Sequence, residues 1–299
     1  MNRIFAIGET VLDMIFRGGV PCKATPGGSM LNAAVSLGRL GADIHFISGY
    51  GTDRIGRQID TFLRDNGVGT ECVYRYSDVN SSLALAFLDE NGNAEYQFYK
   101  PKPAVRLAGQ LPEAGRGDMI LFGSFYALEA ESHAFFFPWL KASRAKGALL
   151  LYDPNFRRPH LSQLEAVRPL LRQNLAVADI VRASDEDCAL LFGSDDPERI
   201  FSQHMKEDQV FICTSGGRCI TRCTGKRTLR YTPPAVQEIV STVGAGDTFN
   251  AGLAYGLTSR HVTCQELTAL TDAVWEEIIM QSARFSASVC QSDENYIKR

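Results

Sequence analysis

Residues 241–252, Ser-Thr-Val-Gly-Ala-Gly-Asp-Thr-Phe-Asn-Ala-Gly, place three small residues directly before an aspartate and the start of an apolar helical pattern. The backbone N–H groups of Gly244, Ala245 and Gly246 can turn inward, because no large side chain blocks an approaching group. The helix that follows brings the positive end of its dipole to the same point. Together these make a site suited to a phosphate. Asp247, at the mouth of such a hole, would repel a resting anion. It makes sense as a base that takes a proton from a hydroxyl attacking a phosphoryl group held beside it. Without that chemistry the stretch is a glycine-rich turn with Asp247 as a first-turn acid, and the loop alone does not choose between the two.

Other phosphate loops fit poorly. A P-loop needs GxxxxGK[ST], and Gly225-Lys226 is followed by Arg227. A dinucleotide fingerprint needs a third glycine where Phe249 stands, and it belongs in the first βα unit rather than late in the chain.

The elements that must position this loop alternate along the chain. Residues 3–8, 43–48, 118–123, 148–153, 179–184 and 209–214 read as strands, most of them nearly continuous in apolar residues, as expected for strands covered on both faces. Helical patterns fill 29–40, 132–146, 162–174, 185–192, 247–257 and 265–288. This alternation implies right-handed βαβ units and a mostly parallel sheet in an α/β fold. Two segments depart from it. Residues 10–26 are extended and turn-rich, and within 70–100 two β-like arms flank Asn91-Gly92, a hairpin signal. The expectation is one domain over residues 1–299 with a small β lid built from segments near 10–26 and 70–100. Polar residues and glycines gather just past the strand ends, at Gly8-Glu9 with Asp13 following, at Pro154-Asn155, at Ser184 to Asp187, and at Thr214 to Gly217. Each alone is an ordinary turn or cap; together they mark the edge where open α/β sheets bind ligands.

Composition narrows the partners. The chain has 299 residues, 45% hydrophobic and 22% charged, with a net charge of -3. That supports a sizeable core and speaks against nucleic acid as the main partner. The N-terminus has no basic leader before a long apolar core, and no stretch is long and apolar enough to span a bilayer. The eight cysteines form no CxxC pair, which disfavours zinc or disulfides and suits a cytoplasmic protein.

"STVGAGDTFNAGLAYGL" resembles the C-terminal signature of the ribokinase-like (PfkB) sugar kinases, and "PGGSMLNAAVSLGRLG" (26–41) resembles their N-terminal one. "GETVLD", "DPNFR", "ASDED" and "TSGG" follow in family order, so the resemblance runs from near residue 4 to near residue 290. It implies a three-layer αβα domain with a β lid, using ATP and magnesium to phosphorylate a sugar hydroxymethyl group. By position, Asp247 would be the base and the N–H groups of Gly244, Ala245 and Gly246 the anion hole. Asp13, Gly27, Gly28 and Asn32 would hold sugar hydroxyls. Asn155 and Arg157 would lie near the phosphates or the substrate. Ser184, Thr214 and Gly216 would line the nucleotide, and Asp187 would organise the magnesium waters. Taken singly, Asp13, Asn32 and Asn155 are turn or cap residues and Asp187 a first-turn acid; the joint match changes that reading.

Phe98 and Lys100 follow the hairpin and could reach the sugar from the lid, the ring covering a sugar face and the ammonium favouring an oxygen-rich or anionic group. A plain sheet face with solvated lysines is the alternative. Three positions depart from the family pattern. Ser241 stands where an aspartate is associated with a monovalent-cation site, leaving dependence on such a cation open. The NxxE stretch reads Ser184-Asp185-Glu186-Asp187, and Cys219 replaces a glycine. Fructokinases and 2-keto-3-deoxygluconate kinases are both similar, and the pattern leans to the fructokinases. The resemblance also implies a homodimer paired through the lid. A non-catalytic binder of the same fold is the competing class; the intact Asp247 argues against it.

Overall fold

The computed structural model describes residues 2–88, 94–100 and 111–299. The chain opens with β1 (Ile4–Ile7), the pair β2 (Val11–Arg17) and β3 (Val20–Gly27), and α1 (Ser29–Arg39). Next come β4 (Ile44–Gly51), α2 (Arg54–Asp65), β5 (Val68–Gly69), β6 (Val73–Tyr76), β7 (Leu83–Leu88) and β8 (Ala94–Tyr99). The middle holds β9 (Met119–Gly123), α3 (Ala130–Ala145), β10 (Leu149–Asp153), α4 (Leu164–Val177), β11 (Ile180–Ser184), α5 (Asp185–Phe192) and α6 (Pro197–His204). It closes with β12 (Val210–Ser215), β13 (Cys219–Cys223), β14 (Thr228–Tyr231), α7 (Ala245–Thr258) and α8 (Asp272–Cys290).

The main sheet runs β14-β13-β12-β11-β10-β9-β1-β4-β5, with β6 also pairing β4. It is parallel from β12 across to β5, and β13 and β14 are added antiparallel. Side chains alternate strictly between its faces. Ile4, Ala6, Met119, Leu121, Leu149 and Leu151 pack under α1, α2, α7 and α8. Phe5, Ile7, Ile120, Phe122, Leu150 and Tyr152 pack under α3, α4, α5 and α6. The six expected strands all lie in this sheet, buried on both sides, which explains their nearly unbroken apolar runs. Strand order reverses between β1 and β9, the position where such sheets open a ligand crevice.

A second, four-stranded sheet has the order β3-β2-β7-β8. The arms of the expected hairpin pair antiparallel from Leu83↔Tyr99 to Leu88↔Ala94. Asn91-Gly92 and residues 101–104 lie outside the described residues.

The helices differ from expectation at three places. α2 shows only Gly56, Ile59 and Leu63 buried, so its narrow apolar stripe is masked by a run of charges. α6 starts from Asp196, whose side chain accepts from Glu198 and Arg199 N–H, and has Pro197 in the first turn. The pattern at 265–288 is two elements, because Thr271 caps α8 through its hydroxyl and ends a short 3-10 turn at Leu267–Ala269.

Candidate active site

Helices α1 and α7 meet at their N-termini and bring the candidate base into a polar nest. Asp247, third residue of α7, is buried. Ser29 Oγ donates to its Oδ1 at 2.6 Å and Asn32 Nδ2 to its Oδ2 at 2.8 Å. Burial pushes the Asp247 carboxyl above the ordinary range; the two hydrogen bonds and the charge of Arg157 pull it back, while Asp153 raises it. Asn32, expected to grip sugar hydroxyls, thus gives its amide donor to the base, and its Oδ1 is buried with no partner among the described residues.

The loop before Asp247 turns directly into the start of α7. Gly244 is the N-cap of α7 in left-handed backbone, φ 80°, and a Cβ there would collide with the Asn295 carbonyl oxygen. Only glycine meets both demands. No side chain caps the helix; Ala245 N–H donates to the Thr242 carbonyl at 3.3 Å, and the positive end of the helix dipole lies at the cleft that Gly244, Ala245 and Gly246 line.

That cleft has a volume of about 650 Å³. Asn155, Arg157, Ser184, Asp187, Thr214 and Gly216 line it together with Gly244, Ala245, Gly246 and Asp247. The structure therefore gathers ten of the expected residues from five strand or helix ends. Asn155 sits in the left-handed region, φ 38°, its N–H donating to Asp153 Oδ1 at 3.0 Å. A non-glycine residue held there is a backbone strain of the kind found at binding edges.

Asp187 is a structural hub as well as a wall of the cleft. Its Oδ1 accepts from Phe156 N–H at 2.6 Å; its Oδ2 accepts from Ser184 N–H at 2.9 Å and Ser184 Oγ at 2.6 Å. Ser184 Oγ in turn accepts from Asp187 N–H, completing a capping box. Burial, then Asp153, raises the Asp187 carboxyl above its usual range. Both oxygens are engaged by protein donors, which fits contact with a metal through water rather than direct ligation. Among the described residues no cluster of three or more metal-ligating side chains is present. Ser241, at the departure from the family pattern, accepts Val243 N–H at 3.2 Å with its hydroxyl.

The remaining expected residues form a second group between the two sheets. Asp13 projects from β2 beside Gly27, and burial, reinforced by Glu9, pushes its carboxyl up to about 7. Gly28 caps α1 against the Glu9 carbonyl. Lys100 Nζ lies 2.8 Å from Glu9 Oε2 and 3.5 Å from Glu129 Oε1. Phe98 is 56% exposed on β8. This second group connects to Asp247 through α1, whose cap is Gly28 and whose first turns carry Ser29 and Asn32.

Sequence reasoning missed several contributors. Ser29 stood inside the quoted N-terminal signature but carried no signal of its own. Glu9 and Glu129 show their relevance only through Lys100. Asp153 is fully buried and accepts from Asn250 Nδ2 at 2.5 Å and from Arg182 Nη1 at 3.0 Å. The C-terminal segment supports the site from behind. Tyr296 is buried, the Arg39 guanidinium stacks 4.7 Å from its ring, and Arg39 also pairs with Glu294.

A model of the pfkB family carbohydrate kinase matches residues 1–293. The chain is 29% identical to a fructokinase of Escherichia coli, over 88% of this chain and 87% of the relative. Among solved structures, fructokinase from Vibrio cholerae O395 in its fructose, ADP and calcium ion bound form superposes with a TM-score of 0.84 at 22% identity, covering 99% of this chain and 94% of the other. Aminoimidazole riboside kinase from Salmonella enterica superposes with a TM-score of 0.81 at 21% identity, covering 98% and 94%. These likenesses in structure show the ribokinase-like fold. With the family model matching nearly the whole chain and fructokinase relatives alongside it, the protein belongs to the pfkB carbohydrate kinases and is an ATP-dependent sugar kinase.

Proposed function

We propose that this kinase is a fructokinase, transferring the γ-phosphoryl group of ATP to a hydroxymethyl group of fructose. The observation that carries the choice of sugar is the clamp on Lys100. Glu9 and Glu129 hold its ammonium, and Asp13 adds a third carboxylate nearby. The sugar side therefore offers acceptors for the hydroxyls of a neutral sugar, and the Lys100 ammonium is already paired rather than open to a carboxylate or phosphate. This disfavours 2-keto-3-deoxygluconate, the acidic alternative. The fructokinase relatives support the same choice.

Asp13 and the backbone at Gly27 and Gly28 orient the sugar, with Phe98 over it from the small sheet, which acts as a lid. Asp247 accepts the proton of the attacking hydroxyl as its oxygen bonds to the γ-phosphorus. The bond from that phosphorus to the bridging oxygen breaks, and the electron pair leaves with ADP. The N–H groups of Gly244, Ala245 and Gly246 receive the charge on the transferred group. Arg157 and Asn155 face it from the opposite wall, and Ser184, Thr214 and Gly216 line the nucleotide. Asp187 would hold magnesium through its waters, and the ion would supply charge neutralisation. The small sheet also carries the homodimer contact. Asp13, Ala84 and Phe98 share one of its faces, and Met14, Phe16, Leu85 and Phe87 share the other. On β2 and β7 that second face is apolar and partly exposed, with Glu95 and Gln97 beside it on β8, and a second copy covers it.

The test is a coupled ADP-release assay over fructose, 2-keto-3-deoxygluconate, ribose, tagatose 6-phosphate and adenosine, with and without potassium. Fructose should give the highest kcat/KM. A higher value for 2-keto-3-deoxygluconate would refute the neutral-sugar reading, and absence of turnover with every compound would refute the substrate class.

A further inference from the structure

A buried cation lies beneath the anion hole, and the mechanism above does not use it. Arg182, on β11, has a side chain only 9% exposed. It is surrounded by acids from three elements: Asp153 at the end of β10, Asp187 on α5 and Asp247 on α7. Burial works against its charge, but those three carboxylates more than offset it and keep the guanidinium ionised.

Its hydrogen bonds fix the guanidinium but do not exhaust it. Nη1 donates to Asp153 Oδ2 at 3.0 Å and Nη2 to Thr214 Oγ1 at 2.5 Å. Nε is buried and has no partner among the described residues. An arginine serving only to neutralise Asp153 would leave no reason for this arrangement, since an apolar pair fills a buried site at least as well. The position supplies a reason. A Cβ at Gly246 would fall 2.7 Å from Nη1, so glycine at that position lets the guanidinium rest against the first turn of α7. The Phe249 ring, 5.7 Å from the guanidinium carbon, covers another side. Thr214 and Arg182 both line the cleft.

We propose that Arg182 is the positioning charge of the phosphoryl site, clamped by Asp153 and Thr214 under the first turn of α7 so that its positive field reinforces the anion hole. It acts through the Gly246 backbone and the Asp153–Asn250 bond, raising the affinity of the hole for the charge that develops in transfer. This rests on reading residues 244–246 as the anion hole.

The test compares Arg182→Met, Arg182→Lys and the double variant Arg182→Met/Asp153→Asn, which leaves no orphaned buried carboxylate. Turnover is measured with ATP and fructose. Calorimetry measures the affinity for magnesium ADP with and without aluminium fluoride, a mimic of the transferring phosphoryl group. Arg182→Met should lower kcat on the order of 100-fold with the fructose KM within about twofold. Affinity for ADP with aluminium fluoride should fall in parallel while affinity for ADP alone holds. Arg182→Lys should retain most of both. The double variant should regain thermal stability without regaining kcat. Recovery of kcat by the double variant, or equal weakening of ADP with and without aluminium fluoride, would overturn the proposal. The calorimetric ratio reads the anion hole whatever the sugar, so a failure of the fructose assignment remains distinguishable. Should Arg182→Met not fold, the lysine and double variants carry the same comparison.

Discussion

Asn32 Nδ2 donates to Asp247 Oδ2 at 2.8 Å across 215 positions of the chain, and Ser29 Oγ takes the other oxygen at 2.6 Å. One donor on each oxygen fixes the carboxylate and favours its ionised form against burial. Asp247→Asn should lower kcat about 1,000-fold or more. Asn32→Ala and Ser29→Ala each remove a bond to the charged form, so the Asp247 pKa should rise. The base works ionised, so activity falls as pH drops through that pKa; the acidic limb of kcat/KM should shift to higher pH in both variants. An acidic limb that stays fixed in both would show that Asp247 is not the titrating base.

Asp13 carries a stability signature distinct from its role in binding. Its folded carboxyl titrates at about 7, against about 3.9 for an unfolded aspartate. Over that window the folded state binds the extra proton, so the associated stability is fully present below pH 4 and lost as pH rises through 7. Asp13→Asn removes the buried charge. Its melting temperature should exceed that of the wild type by a few degrees at pH 8, and the difference should vanish toward pH 4. Its kcat/KM for fructose should fall roughly 10- to 100-fold. A variant less stable at every pH would contradict this account of Asp13.

Gly244→Ala combines a left-handed backbone with a collision against the Asn295 carbonyl. It should destabilise the fold by about 2–3 kcal/mol and depress kcat more than either KM, because the N-cap that aims the anion hole must move. Chemical denaturation and steady-state kinetics together check this. Unchanged stability would mean that the C-terminal segment yields freely and does not hold the loop.

The apolar face of the small sheet predicts a dimer that a charge disrupts. Phe87 is 39% exposed and stacks on Phe16 with ring centroids 4.9 Å apart. Light scattering should give twice the chain mass for the wild type and a single chain mass for Phe87→Glu. A monomeric wild type would remove the dimer proposal.

Much of this protein is legible in its residues because the signals are local. The six apolar runs are strands of the main sheet, since a strand between two helical layers has no polar face to display. Gly244 to Asp247 is legible as a helix start from left-handed backbone followed by a buried first-turn carboxylate, because backbone freedom, a helix start and a carboxylate sit side by side. The departures at α2, α6 and α8 are also local: a stripe masked by charges in the first, an Asp196 cap before Pro197 in the second, a threonine cap inside a continuous pattern in the third.

What tertiary structure alone decided is which distant groups these elements engage. Asn32 is polar in a helix whatever its role; only the meeting of α1 and α7 turns it toward the base. Lys100 reads in the sequence as a solvated lysine or a receptor for an oxygen-rich group, and only the packed chain pairs it with Glu9 and Glu129. Arg182 is one charged residue in an apolar strand, and its place under Gly246 depends on β10, β11, β12 and α7 converging. Dihedral preference and apolar period are written in neighbouring residues, whereas burial and pairing of charge exist only once the chain has packed.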